Sequence, residues 1–240
     1  MIERLADWAH GRPSRPALLI RAMIGAAEPD DPALRLVLAG ELDARPVEPH
    51  LAALAWRAIE LMDLGPPNEE QLDAVAAMLE DGAPPPLPLV LPSGARIDDA
   101  ETAAIAAGAL ALRALSKGGR GSEADIRRRL DDLARKGPGY EGVTRRASAL
   151  HGIAAEAVHY PTQVEKLVAE LARAQHPDGS WGADDPFHVA QALLAVDHPE
   201  ATKALWRGLK ALEKEQRADG GFGSEERSWI ACRWIRRLGG

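Results

Sequence analysis

The amino-acid sequence predicts an all-α protein, a double ring of six inner and six outer helices closed into one domain over residues 1–240. Three observations carry this. Ala and Leu dominate while Val, Ile, Phe and Tyr are sparse, a composition that favours helix over sheet. Two segments, KLVAELARAQHPDGSWG at Lys166–Gly182 and RGLKALEKEQRADGGFG at Arg207–Gly223, superpose after a shift of 41 positions that carries Leu171 onto Leu212, Gln175 onto Gln216, Gly179 onto Gly220 and Trp181 onto Phe222. The helical periodicity also alternates between nearly all-apolar and charged amphipathic segments, as expected for buried helices covered by outer ones.

In chain order, Ile2, Leu5, Ala6 and Ala9 mark a helix to His10, and Pro16 a first-turn proline for a helix to about Ala27. Asp30-Asp31-Pro32 caps a helix over 33–42, and Glu48-Pro49 opens one through Leu64. Asn68 caps a helix that ends near Glu80. The excursion at 81–97 begins DGAPPPLPLVLPSGAR, too rich in proline for a helix and too long for a simple turn. Its Leu87, Leu89 and Leu91 suit a strap packed on the body; a lid, or a membrane or protein contact through 84–92, are the other readings. Helices follow at about 99–116, 122–136, 144–158, 161–174, 186–196, 200–216 and 226–238. Tyr140 lies one repeat step before Trp181 and marks a third copy. Starts near 16, 49, 99, 144, 186 and 226 give the inner set; those near 33, 69, 122, 161 and 200, with Ile2–His10, give the outer one.

Composition also excludes. The net charge of −7 leaves no electrostatic footprint for nucleic acid. Cys232 is the single cysteine, which rules out an intrachain disulfide and a multi-thiolate metal site. The N-terminal sequence lacks the apolar run of a signal peptide and no segment is long enough to span a membrane, so the expected location is the cytoplasm.

The repeated segments resemble the QW motif of the squalene–hopene and oxidosqualene cyclases. Lys166, Leu171, Gln175, Gly179 and Trp181 match it, as do Arg207, Gly208, Leu212, Gln216 and Gly220 with Phe222 in the tryptophan place; Glu170 and Ala211 stand where the motif has an aromatic. The DGSWG and DGGFG forms are also similar to repeats of protein prenyltransferase β-subunits. The resemblance covers about 122–240 and implies an α6/α6 toroid of the terpenoid-cyclase/prenyltransferase superfamily, with an isoprenoid or other lipid-like ligand inside the inner ring. The motif residues themselves read as structural: the glycine ends a helix, the aromatic plugs a joint, and the glutamine ties an outer helix to a loop.

Chemistry belongs among the inner helices. Arg96-Ile97-Asp98-Asp99-Ala100-Glu101-Thr102 opens the third of them. Asp98 and Asp99 fall on the last two acids of the Asp-x-Asp-Asp motif of proton-initiated cyclases, but Arg96 replaces the first. The resemblance makes Asp98 the acid candidate, with Asp99 beside it; helix capping explains the same residues. Trp56, Arg57, Glu101, His151, His188, Gln191, Trp229 and Trp234 are the candidate lining residues, the imidazoles for acid–base work and the indoles for a cationic or apolar ligand. No Asp-x-Cys accompanies Cys232, so neither metal nor cofactor is expected. Two functions stay open: a compact proton-initiated terpene cyclase, or a toroid that binds a lipid, peptide or protein without catalysis.

Overall fold

A computed structural model describes residues 1–25, 50–62 and 66–239. The described residues form eleven α-helices: α1 (Ile2–Ala9), α2 (Arg15–Met23), α3 (Leu51–Met62), α4 (Glu69–Asp81), α5 (Ala100–Lys117), α6 (Ala124–Lys136), α7 (Val143–Ile153), α8 (Pro161–Arg173), α9 (Pro186–Leu194), α10 (Pro199–Glu215) and α11 (Glu225–Arg237). The protein is all-α apart from one short antiparallel hairpin, β1 (Leu89–Val90) and β2 (Arg96–Ile97). The helix expected over 33–42 lies outside the described residues.

Local sequence sets the helix starts. Asn68, Asp99, Asp185 and Ser224 each accept a first-turn backbone N–H, and α2, α8, α9 and α10 carry proline in the first turn, where no N–H is needed. Burial then sorts the helices. In α9 every residue from Phe187 to Leu193 is buried, and in α7 every residue from Ala147 to Ile153; α8 buries just Val164, Leu167, Val168 and Leu171. A helix buried on all sides needs neighbours on all sides. Accordingly α3 packs on α5, α5 on α7, α7 on α9, α9 on α11, and α11 on α2. Arg15 of α2 and Glu60 of α3 are joined by an ion pair of 3.1 Å, with both side chains about nine-tenths buried. The amphipathic helices lie outside: α4 on α3 and α5, α6 on α5 and α7, α8 on α7, α10 on α9 and α11, α1 on α11 and α2.

The repeat loops are the joints. Gln175 Nε2 donates to Gly179 O in its own loop (2.9 Å) and to Ala204 O of α10 (3.0 Å). One step on, Gln216 Nε2 donates to Gly220 O (2.8 Å) and to Met1 O (3.1 Å), so α1 docks on the second loop as α10 docks on the first. Gly179 and Gly220 have φ of +88° and +92°, and a Cβ on either would stand 2.1 Å from a carbonyl oxygen of the docked helix, Arg207 O or Arg4 O. Trp181 is buried beside Leu171 O, to which its indole donates (2.8 Å).

Three expectations change. Residues 144–158 are not one helix: α7 ends at Ile153 and a 3₁₀ turn runs Ala154–His159, with Glu156 at φ −109°. The chain must reverse before Pro161, which disfavours helical Tyr160, and the Tyr160 hydroxyl is held by Asp131 at 2.7 Å. The excursion at 81–97 contains the hairpin, whose two-residue alternation buries Leu89, Leu91 and Ile97 and turns Val90 outward. Leu87, expected to pack, is half exposed because it precedes the paired segment. Arg227 Nε holds the turn through Ser93 O (2.6 Å), and its guanidinium also pairs with Asp185 and lies over the Phe187 ring.

Gly220→Ala should therefore destabilise the protein by about 2–4 kcal/mol, since both backbone strain and a backbone clash oppose a side chain. Gly179→Ala should cost a similar amount in urea unfolding, and hydrogen exchange should show α1 loosened in Gly220→Ala alone. Truncating one member of the buried pair, Glu60→Ala, should cost roughly 3–5 kcal/mol, and the double change Arg15→Met with Glu60→Leu should recover most of it.

Candidate functional site

Two clusters contain the candidate residues, and they lie at different ends of the long helix α5. The first is at its start. Asp99 caps α5 by accepting from Thr102 N at 2.8 Å. Arg145, on α7, reaches Glu101 (2.9 Å), Asp99 (3.3 Å) and the Thr102 hydroxyl (2.7 Å), stapling the two helices together. The Thr102 amide, then its hydroxyl and Arg145, hold the Asp99 carboxyl below the usual carboxylate range. Asp98 accepts from Arg96 Nε at 3.0 Å, and its side chain is 69% exposed. This exposed geometry suits capping and ion pairing and supplies none of the burial that a proton-donating carboxyl needs.

The second cluster is interior. Arg113, Ser116 and Lys117 share one face of α5 by their spacing of three and four residues, as Ser148 and His151 do on α7, His188 and Gln191 on α9, and Trp229 and Arg233 on α11. His151 is 6% exposed. Desolvation pushes its pKa well below the ordinary histidine value, and the charges of Arg113, His188, Arg233 and Lys117 press in the same direction. These neighbours come from α5, α9 and α11. Lys117 also spans to α3, donating to Ile59 O at 3.3 Å. From Asp99 to Arg113 the rise of an α-helix gives about 21 Å, which separates this cluster from the acidic one.

His188 lies between the helices. Its Nε2 is 3.1 Å from Ser148 Oγ and 3.3 Å from Thr144 O, and burial lowers its pKa to about 4. Gln191, one turn on, is buried. The indole N–H groups of Trp56 and Trp229 and the Ser116 hydroxyl are buried with no hydrogen-bond partner, which leaves three polar groups open to a ligand or to water. Arg57 is part-buried beside Trp56 on α3. Trp234 stands five residues from Trp229, about 140° round the helix, and donates to Leu205 O of α10 at 2.9 Å while packing on Trp181. Burial pushes the Cys232 thiol up to about 12, so it is inert. Among the described residues no group of His, Cys, Asp and Glu is placed to hold a metal ion, and no helix is long and apolar enough to cross a membrane.

Arg113, Lys117 and Arg233 were not among the sequence candidates. Their signal was present: ionisable residues inside otherwise apolar helices, such as Arg113 and Lys117 following TAAIAAGALAL. Which face they occupy depends on the packing of distant helices.

The neutral interior histidines make stability depend on pH. The unfolded chain takes up protons on His188 near the ordinary value of about 6.5, whereas the folded protein resists until about 4. Stability should thus be full above about pH 6.5 and fall by roughly 3 kcal/mol as the pH drops toward 4. In urea unfolding across that range, His188→Asn should show a shallower loss than the parent.

Compared with protein-family models, curated proteins and solved structures, the chain matches none.

Proposed function

We propose that this chain is an α/α toroid of six inner and six outer helices that holds an isoprenoid or similar lipid-like small molecule among its inner helices, as a binding protein without proton-initiated catalysis. The circuit of contacts from α2 through α11, with the Arg15–Glu60 pair, supports the ring. So does the docking of α1 on the Gln216–Gly220 loop, which supplies an outer helix at the point where the chain ends meet.

One observation carries the ligand reading: Trp56, Ser116, His151, Gln191 and Trp229, from α3, α5, α7, α9 and α11, are all buried, and Trp56, Ser116 and Trp229 have hydrogen-bonding groups left over. A core that served packing alone would satisfy such groups or replace them with apolar ones. The acidic cluster supports binding over catalysis, because Asp98 is exposed and paired with Arg96.

The test is a thermal-shift and turnover assay with farnesyl diphosphate, geranylgeranyl diphosphate and squalene, on the parent and on Asp98→Asn. A ligand at a hundred times its Kd should raise Tm by about 5–10 °C, equally in both proteins, with no product formed. Turnover that disappears in Asp98→Asn would establish a cyclase instead. The absence of any shift with all three would remove the isoprenoid reading.

A further inference from the structure

We propose that the groove between α4, α5 and α6 binds an anionic amphiphile, a medium-chain carboxylate whose head group pairs with Arg128 and Arg129 and whose alkyl stem runs along α5 toward Tyr140. The groove offers about 530 Å³ on the side of α5 that α4 and α6 flank. It is a second site, independent of the ligand proposed for the inner helices.

The floor gives the first reason. α5 is buried along most of its length, yet Ala104 is exposed, and Ile105 and Gly108 are part-exposed, where they line the groove. Leu79 of α4, Leu112 of α5 and Leu133 of α6 complete an apolar surface. Gly108 is the informative residue. Glycine weakens a helix interior, and it is retained where a neighbour leaves no room for a side chain. That reason holds for Gly152 of α7, where a Cβ would stand 2.6 Å from Leu133. It holds for Gly208 of α10, where a Cβ would stand 2.6 Å from Trp234. It fails for Gly108, where a Cβ would meet no atom within 4 Å. The chain's own packing does not require this glycine; a molecule lying against the helix backbone does.

The gap has a structural cause. α8 packs on α10, but no comparable contact joins α4 to α6 among the described residues. α4 runs into the proline-rich excursion in place of a glycine–glutamine loop, so nothing draws it against α6. From Ala104 to Leu112 the helix rise gives about 12 Å, a length that a medium alkyl chain spans.

The rim fixes the sign of the head group. Arg128 and Arg129 both pair with Asp125, the second through Nε at 2.7 Å. Asp132, also at the rim, is shared in the same way by Arg135 and Lys136. Four cations on two carboxylates leave this side of α6 positive, although the whole chain carries −7. A carboxylate matches the paired N–H groups of a guanidinium. The turn at 118–123 sends α6 back along α5, so Arg128 and Arg129 face the Leu112 end and Tyr140 the Ala104 end. Tyr140 holds the repeat position of Trp181 and Phe222, which are buried in their joints; it is part-exposed and lines the groove.

The experiment is a calorimetric titration of the full chain with decanoate below its micellar concentration, with decanol and decyltrimethylammonium as neutral and cationic controls. Decanoate should bind about tenfold or more tightly than either control and should shift the Gly108 amide resonance. Gly108→Ala should raise the urea midpoint and weaken decanoate several-fold. Gly108→Leu, which fills the groove from its floor, should weaken decanoate about tenfold or more with no fall in the midpoint. Arg129→Gln should weaken decanoate about tenfold and leave decanol unchanged. Decanoate binding that survives Gly108→Leu, a Gly108→Ala protein less stable than the parent, or decanol bound as tightly as decanoate would overturn the site. Squalene separates the two proposals. If squalene, farnesyl diphosphate and geranylgeranyl diphosphate give no thermal shift while decanoate responds to Gly108→Leu, the groove stands and the interior reading fails. If squalene displaces decanoate equally from the parent and from Gly108→Leu, decanoate lies among the inner helices and the groove site is wrong.

Discussion

The docking of a glycine loop on the next outer helix is the contact on which the rest of the structure depends. Gly179 sits so close to the Arg207 carbonyl that no side chain fits, and Gln175 spans the same gap with two hydrogen bonds. Each joint orients one outer helix relative to the next, and the inner helix between them follows. At the end of the chain the same joint is made a second time onto α1, with Gln216 on the Met1 carbonyl and Gly220 against Arg4. Sequence neighbours hold the first joint and the two ends of the described chain hold the other. The fold therefore depends on its N-terminal helix as much as on any repeat.

Placing buried helices beside one another leaves their innermost faces looking at each other, and here those faces are not purely apolar. The buried Arg15–Glu60 pair links α2 to α3, and His188 is fixed to Ser148 and the Thr144 carbonyl between α9 and α7. Such groups cost solvation, and they persist where partners are well placed or where a ligand completes them. His188 belongs to the first kind.

The acidic start of α5 shows how one pattern serves two physical ends. Adjacent carboxylates before an apolar helix satisfy first-turn N–H groups and complement the helix dipole. Here Asp99 does that, Arg145 ties it and Glu101 to α7, and Asp98 stays with Arg96 in solvent. The hairpin is pinned near the starts of α9 and α11 by Arg227, which holds Ser93 O and pairs with Asp185.

The sequence by itself determined most of the described helices, their order and the repeat joints, because those rest on short-range chemistry: apolar spacing, capping side chains, proline in first turns, and glycine with glutamine four residues apart. It also marked His151, His188, Trp56 and Trp229 as inner-helix residues. Tertiary structure decided what spacing cannot encode. It paired Arg15 with Glu60 across 45 residues, folded the proline-rich excursion into a hairpin, broke the helix before Pro161 and sent Trp234 outward to the Leu205 carbonyl. Arg15 and Glu60 sit on separate helices at positions that local spacing does not relate, and only the angle at which those helices pack brings their charges together.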